Sequence, residues 1–280
     1  MISFRTMDRG DIPEGLRLCR SANWNQLQRD WEIFLTYGPE DCRVAIHENK
    51  VVGTVTAIRY DHFFSWIGMV LVDPSQQRKG IGSGLLHEAL DLLKDEETIK
   101  LDATPAGREV YLQLEFKDEY PLSRMSAVIN AEKIPASTAR PMLQSDLHAV
   151  AEYDSSVFGA GRQSLLEWFF EGASSYAFII DHGNGIEGYC LGRKGQNFNQ
   201  VGPVVARNWH IARELVSAAL AAATGEQVVI DTMHHEPEWL SWLGSIGFTE
   251  QRPFMRMYKG TNQYTGIPEM QFAIAGPEFG

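Results

Sequence analysis

Long apolar runs are missing from this 280-residue chain; none approaches the roughly 18 residues a membrane-spanning helix needs. Its first residues, Met1-Ile2-Ser3-Phe4-Arg5, lack the basic-then-apolar layout of a signal peptide, so a soluble, cytoplasmic protein with no membrane partner is expected. Cysteine is scarce: Cys19, Cys42 and Cys190 are scattered and odd in number, which fits reduced thiols and excludes a disulfide frame or a zinc cluster, so no metal is expected. Positive charge is also short. Lys and Arg number 25 against 36 Asp and Glu, and the net charge of −11 argues against nucleic acid as a partner while leaning toward a cationic, amine-bearing one. No low-complexity tract interrupts the chain, whose 44% hydrophobic and 22% charged residues can build two ordinary cores.

What is present is concentrated in Gln77-Arg78-Lys79-Gly80-Ile81-Gly82, which joins an apolar strand, Trp66 to Val72, to an amphipathic helix starting near Gly80. Two glycines let the backbone approach an anion, and the first N–H groups of a helix have no internal partner, so they serve as donors. Arg78 and Lys79 add positive charge. A Walker-type loop is excluded because Lys79 precedes the first glycine, and Gly80, Gly82 and Gly84 give Gly-x-Gly-x-Gly where a dinucleotide fingerprint needs Gly-x-Gly-x-x-Gly; Asp102 is the one residue in favour of that second reading. A third pattern, Gln/Arg-x-x-Gly-x-Gly/Ala after a strand ending Val-x-Pro, is satisfied throughout by Val72-Asp73-Pro74 and Gln77 to Gly82. On these residues the chain resembles the GNAT superfamily of acetyl-coenzyme A dependent N-acetyltransferases.

Further along, Ile81, Leu85, Ala89 and Leu92 make one buried helical stripe, Ile99 to Ala103 reads as a strand, and Thr104-Pro105 as an N-cap followed by proline at the first helical position. The resemblance implies that Tyr111, within Tyr111-Leu112-Gln113-Leu114-Glu115-Phe116, is the general acid that reprotonates the departing thiolate. The family pattern has glycine where Glu115 stands. A phenol suits that task, since its ordinary pKa near 10 is not far from a thiol's; a tyrosine merely packing its ring on the sheet is the alternative. The resemblance also implies that backbone groups of Val70 and Val72 hold the pantetheine arm of acetyl-CoA, that the N–H groups of Arg78, Lys79, Gly80, Ile81, Gly82 and Ser83 hold its pyrophosphate, and that a strand N–H near Met69 or Val70 polarises the thioester.

The same plan occurs twice. Arg5-x-Met7-x-x-x-Asp11-Ile12 recurs 135 residues on as Arg140-x-Met142-x-x-x-Asp146-Leu147, Asp102 answers to Asp231, Phe116 to Phe248, and Arg124-Met125 to Arg256-Met257. In the second copy Gly202-Pro203-Val204-Val205-Ala206 leads through Arg207-Asn208-Trp209-His210 into a helix with no Gly-x-Gly at its start, so the second half is expected to keep the scaffold without the cofactor. The expected fold class is therefore α+β, two tandem GNAT-like domains, each a mixed and mostly antiparallel sheet flanked by helices. Residues 1–133 form the domain that binds acetyl-CoA, 139–260 a degenerate GNAT-like domain and 261–280 a tail, with Ile134 to Thr138 as linker. Similar tandem proteins are familiar among bacterial acetyltransferases. The tail, broken by Pro268 and Pro277, has no helical period and is expected to be irregular, packed on one domain or mobile.

The acceptor expected from the resemblance is a small primary amine. Trp24 is a candidate wall of its pocket, while Leu27, Trp31 and Phe34 sit at helical spacing and read as core. No ionisable group lies on the strand Trp66 to Val72, so a water relay is the expected base, with Asp61 and His62 in the preceding turn as candidate substrate contacts. His234 and His235 read as a solvated turn. A coenzyme A-binding sensor or interaction protein without turnover is the alternative function, suggested by Thr104 where the family often has asparagine and by Glu115. Exposed sheet edges in such folds often pair, which makes a homodimer an expected partner state.

Overall fold

The computed structural model describes every residue except His182 and Asn184. In chain order, β1 (Ile2–Thr6) leads to α1 (Ile12–Ser21) and α2 (Gln28–Tyr37); β2 (Arg43–His47), β3 (Lys50–Tyr60) and β4 (Phe64–Val72) follow as an antiparallel meander. Next come α3 (Ile81–Leu92), β5 (Thr98–Ala103), α4 (Pro105–Gln113) and β6 (Lys117–Val128). The plan then repeats: β7 (Arg140–Pro141), α5 (Leu147–Phe158), α6 (Gln163–Ala173), β8 (Phe178–Asp181), β9 (Ile186–Arg193), β10 (Asn199–Ala206), α7 (Trp209–Ala221), β11 (Gln227–Met233), α8 (Pro237–Ser245) and β12 (Thr249–Gly260). One short strand, β13 (Gln271–Ala273), belongs to the tail. The expected α+β class, with a mixed and mostly antiparallel sheet, is what the chain adopts.

The repeated Arg-x-Met-x-x-x-Asp pattern marks the same device in each half. Arg5 grips Asp11 with two bonds of 2.7 Å, and Asp11 also accepts from the Asp8 N–H; Arg140 grips Asp146, which accepts from the Leu143 N–H at 2.7 Å. Each aspartate thus fixes the turn that launches the first helix of its half. Met7 and Met142 are buried beneath these turns.

The strand order β1-β2-β3-β4-β5-β12-β6-β11-β13-β10-β9-β8-β7 reveals what the repeat alone could not. The last strands of the two halves are exchanged. β12 pairs antiparallel with β5 from Met255↔Ala103 to Gly260↔Thr98, and β6 pairs antiparallel with β11 from Gln227↔Val128 to Met233↔Leu122. A buried salt bridge locks each exchange, and the two are equivalent in the repeat. Arg256 on β12 donates to both oxygens of Asp102 on β5 at 2.9 Å, while Arg124 on β6 donates to both oxygens of Asp231 on β11 at 2.7 and 2.6 Å.

Neighbours Val44 and Ala45 on β2 fall into different cores, as alternation of side chains across a strand requires. One face carries a core shared by both halves, in which Trp31 and Phe34 of α2 meet Phe158, Phe169 and Phe279. The other face carries two separate cores, one under α3 and one under α7 and α8. The shared core contradicts the expected tail. Residues 271–280 are nearly all buried, because β13 enters the sheet between β11 and β10 and the following turn runs under the first half. There the Tyr60 hydroxyl donates to the Phe279 carbonyl at 2.7 Å and the Trp66 indole to the Pro277 carbonyl at 2.9 Å. Stretches without helical period can be deeply buried when both neighbouring surfaces supply donors for their carbonyls.

Candidate active site

β4 and β5 are parallel and pair only at Ser65↔Ile99 and Trp66↔Lys100, then diverge. The register of β4 against β3 slips between Thr54↔Leu71 and Thr56↔Gly68, a bulge that places Met69 at φ +50° with its carbonyl held by the Thr54 hydroxyl at 2.8 Å. A methionine is costly in that conformation, and bulges of this kind redirect backbone groups beside reaction centres. From Gly68 onward the edge of β4 that faces β5 has no strand partner, so its N–H and C=O groups are free to meet an extended ligand arm.

Beyond β4, Asp73 accepts from Ser75 and from Arg17, fixing the turn into the loop. Arg78 and Gly80 take φ of +61° and +80°, and α3 begins at Ile81 with no side-chain cap, which leaves its first N–H groups unclaimed. A Cβ on Gly82 would stand 3.6 Å from Val72, so the approach to this turn is open.

A cleft of about 410 Å³ runs from this turn along β4. Val70, Val72, Arg78, Gly80, Ile81, Gly82 and Ser83 line it, as do Tyr111 and Trp24. Lys79 does not; its Nζ turns to the Ser75 carbonyl and Gln76 Oε1. Asp61 and His62 are not brought to the cleft either. They occupy the β3–β4 turn before β4, whose nine residues span about 30 Å to the loop, with Asp61 accepting from the Gly161 N–H and His62 beside Glu96. His234 and His235 are exposed in the turn after β11; His235 lies beside Phe272, and partial desolvation there lowers its pKa.

Tyr111 sits on α4, which Thr104 caps by accepting from the Gly107 N–H at 3.2 Å. Gly107 lies close beneath the ring, and a Cβ there would be 3.0 Å from Tyr111, so a larger residue would press on the ring. Burial alone pushes the Tyr111 phenol up to about 12, so it stays protonated beyond the pH at which an ordinary tyrosine begins to ionise. Glu115, where the turn asks for a positive φ, adopts +66° and pairs with Lys259, so this departure from glycine alters the turn and leaves Tyr111 in place.

The far end of the cleft comes from residues that were not expected in the site: Gln26, Arg124, Arg252, Phe254 and Glu278. Glu278 belongs to the tail and lies against β4; a Cβ on Gly68 would be 2.9 Å from the Glu278 carbonyl oxygen. Its carboxylate accepts from Gln26 at 2.7 Å and Arg193 at 2.5 Å. Burial works against its charge, but Arg193 and Gln26 outweigh this and hold the carboxyl below the usual range. Only the repeated Arg124 carried a signal in the sequence; Glu278 lay in a tail without pattern.

The second half has the matching frame with each opening closed. β10 and β11 pair at Asn199↔Val228 and Gln200↔Val229 and then diverge, but β13 fills the gap, pairing Val204↔Ala273 and Thr232↔Ala273. The α7 N-terminus is capped by Asn208, whose Oδ1 accepts from His210 and Ile211 N–H, the donors a phosphate would need. Leu243, buried, precedes Phe248 as Tyr111 precedes Phe116.

Comparison with known proteins agrees with this fold. The model of the acetyltransferase (GNAT) family matches residues 12–116, and that of an acetyltransferase (GNAT) domain matches residues 150–273. The chain belongs to the GNAT superfamily, as a tandem protein with two GNAT domains, and is an acyltransferase. It is similar to the holothin acyltransferase of Pseudoalteromonas sp. (strain SANK 73390), 26% identical over 261 residues that cover 93% of this chain and 88% of that one. The uncharacterized N-acetyltransferase YitH of Bacillus subtilis (strain 168) is 21% identical, over 75% of each chain. Among solved structures, a proposed acetyltransferase of Pyrococcus horikoshii superposes with a TM-score of 0.82 at 22% identity, covering 100% of this chain and 96% of that one. A tandem GNAT protein from the clavulanic acid biosynthesis pathway does so with a TM-score of 0.64 at 14% identity, covering 92% and 98%. At these identities the structures speak for the fold. Among the described residues no helix is long and apolar enough to cross a membrane.

Proposed function

We propose that the protein is an acetyl-CoA dependent N-acetyltransferase that acetylates the primary amine of a small molecule. The observation that carries this is the open gap between β4 and β5, which links an uncapped helix N-terminus to Tyr111 and whose counterpart between β10 and β11 is filled. The first half, residues 1–133, would supply the cofactor side. The second, 139–260, would keep the scaffold, with β12 and the tail 261–280 completing the acceptor end.

In this reading the N–H groups of Arg78 to Ser83 hold the pyrophosphate, with Arg78 adding charge, and the unpaired edge of β4 at Val70 and Val72 holds the pantetheine amides. A β4 N–H at the Met69 bulge polarises the thioester oxygen. The neutral amine attacks the thioester carbon, a C–N bond forms and the C–S bond breaks. Tyr111 gives its proton to the leaving sulfur and is restored from water, while the proton lost by nitrogen leaves through water. Three buried free thiols suit a reducing, cytoplasmic setting.

Calorimetry with acetyl-CoA, followed by thiol release with a panel of amines, tests the proposal. One site, lost in Gly82→Glu, with amine-dependent thiol release, is expected. Two sites would overturn the reading of the second half, and no binding would sink the acetyltransferase.

A further inference from the structure

The acceptor end of the cleft is built from buried charges that do not match one to one. Arg124 is satisfied by Asp231. Arg193 alone serves two carboxylates, Asp30 at 2.7 Å and Glu278 at 2.5 Å. Arg252, on β12 opposite Arg124, has no carboxylate partner among the described residues; its Nε is buried without a hydrogen bond there, and its guanidinium rests 4.8 Å above the Phe254 ring. Burial and the neighbouring Arg124 disfavour its charge and outweigh the more distant help of Asp231 and Glu278, so the half-buried guanidinium sits in a place that favours an added anion. At the other side, Gln26 Nε2 is committed to Glu278 while Gln26 Oε1 is buried without a donor. Three arginines and three carboxylates therefore sum to no net charge, yet they leave one unmatched cation and a carboxylate that shares its only guanidinium.

A ligand complementary to that split must itself be dipolar. A simple amine would leave Arg252 unmatched, and a simple acid would meet Glu278. We propose that the acceptor is an amino carboxylic acid, its carboxylate bound by Arg252 beside Phe254 and its amine N–H groups received by Gln26 Oε1 and Glu278, next to Gly68 on β4. A planar guanidinium with free donors suits bidentate carboxylate recognition, and an aromatic face behind it keeps its orientation. The inference rests on the acyl-transfer reading of the same cleft and adds to it the class of acceptor.

The test pairs amino acids with their carboxamides and their decarboxylated amines, over small, aromatic and acidic side chains. Binding is measured by calorimetry to the protein loaded with coenzyme A, and turnover by thiol release from acetyl-CoA. Carboxylates are expected to bind and react better than the matched amides. Arg252→Gln should weaken carboxylate binding by roughly 30-fold or more and erase the preference, Arg252→Lys should keep part of it, and acetyl-CoA affinity and the unfolding midpoint should hold in both. A wild-type protein that binds no amino carboxylate of the panel, makes no distinction or prefers amides overturns the assignment, as does a preference that survives Arg252→Gln. Arg252-dependent binding without thiol release would uphold this assignment and sink acyl transfer; rapid turnover of neutral amines without discrimination would do the reverse.

Discussion

Arg256 and Asp102 stand 154 residues apart and form a two-bond salt bridge, 2.9 Å on each side, in which the carboxylate is fully buried and the arginine also donates to the Tyr120 hydroxyl at 2.8 Å. The guanidinium lies over the Trp66 ring at 4.6 Å, so the pair is enclosed by residues of the first half although Arg256 comes from the second.

Removing one partner of this pair leaves the other charge buried and unmatched. Arg256→Gln is expected to cost about 3–5 kcal/mol, more than a surface pair would, and Arg124→Gln should behave alike against Asp231. Denaturant midpoints at constant slope measure both. A loss near that of an exposed pair would show that water reaches these sites.

Exchange of β12 and β6 makes each half incomplete alone. Residues 1–133 expressed separately would present β5 without β12 and β6 without either neighbour, leaving long unpaired edges. That fragment is expected to be unfolded or aggregated, and the whole chain to unfold in one transition by calorimetry and circular dichroism alike. A well-folded monomeric fragment would contradict this.

Tyr111→Phe should lower kcat by roughly 10²–10⁴-fold while acetyl-CoA affinity is kept. The pH profile is a second readout. Because burial raises the phenol to about 12, the acid form persists where an ordinary tyrosine begins to ionise, so kcat should not fall between pH 9 and 10 on this account. A titration of kcat in that interval would remove Tyr111 from the role.

Acid should loosen the two turns that begin the halves. Burial works against the Asp11 charge, but its bonds to Arg5 and the Asp8 N–H outweigh this, and Arg140 lowers Asp146, so both fold with pKa below the ordinary 3.8. A depressed folded pKa contributes stability that is present above the unfolded value and lost as pH falls through the folded one. Arg5→Ala and Arg140→Ala should each cost about 1 kcal/mol or less at pH 7, and progressively less as the pH falls below the ordinary 3.8, by thermal unfolding.

The elements of the cofactor side were legible because local rules fix them. Gly80 and Gly82 after Val72-Asp73-Pro74 foretold an uncapped helix start, Thr104-Pro105 a capped one, and Ile81, Leu85 and Ala89 are the buried stripe of α3 as expected, although Leu93 and not Leu92 is buried at its end. The repeated Arg5–Asp11 and Arg140–Asp146 motifs were visible because their partners lie six residues apart. Asp102, Arg124, Asp231 and Arg256 were equally visible as repeats, but their pairing crosses the halves, and a pattern along the chain carries no record of which strand lies beside which.

The sequence by itself determined the class of fold, the loop that suits a pyrophosphate and the absence of such a loop in the second half, since each depends on spacing within a dozen residues. Only the tertiary structure decided the far end of the cleft. Arg252, Gln26 and Glu278 meet there through strand exchange and through a tail that enters the sheet, long-range pairings chosen by burial and charge matching between surfaces that are distant in the chain. For the same reason Asp61 and His62, near the cofactor strand in sequence, finish at its opposite end.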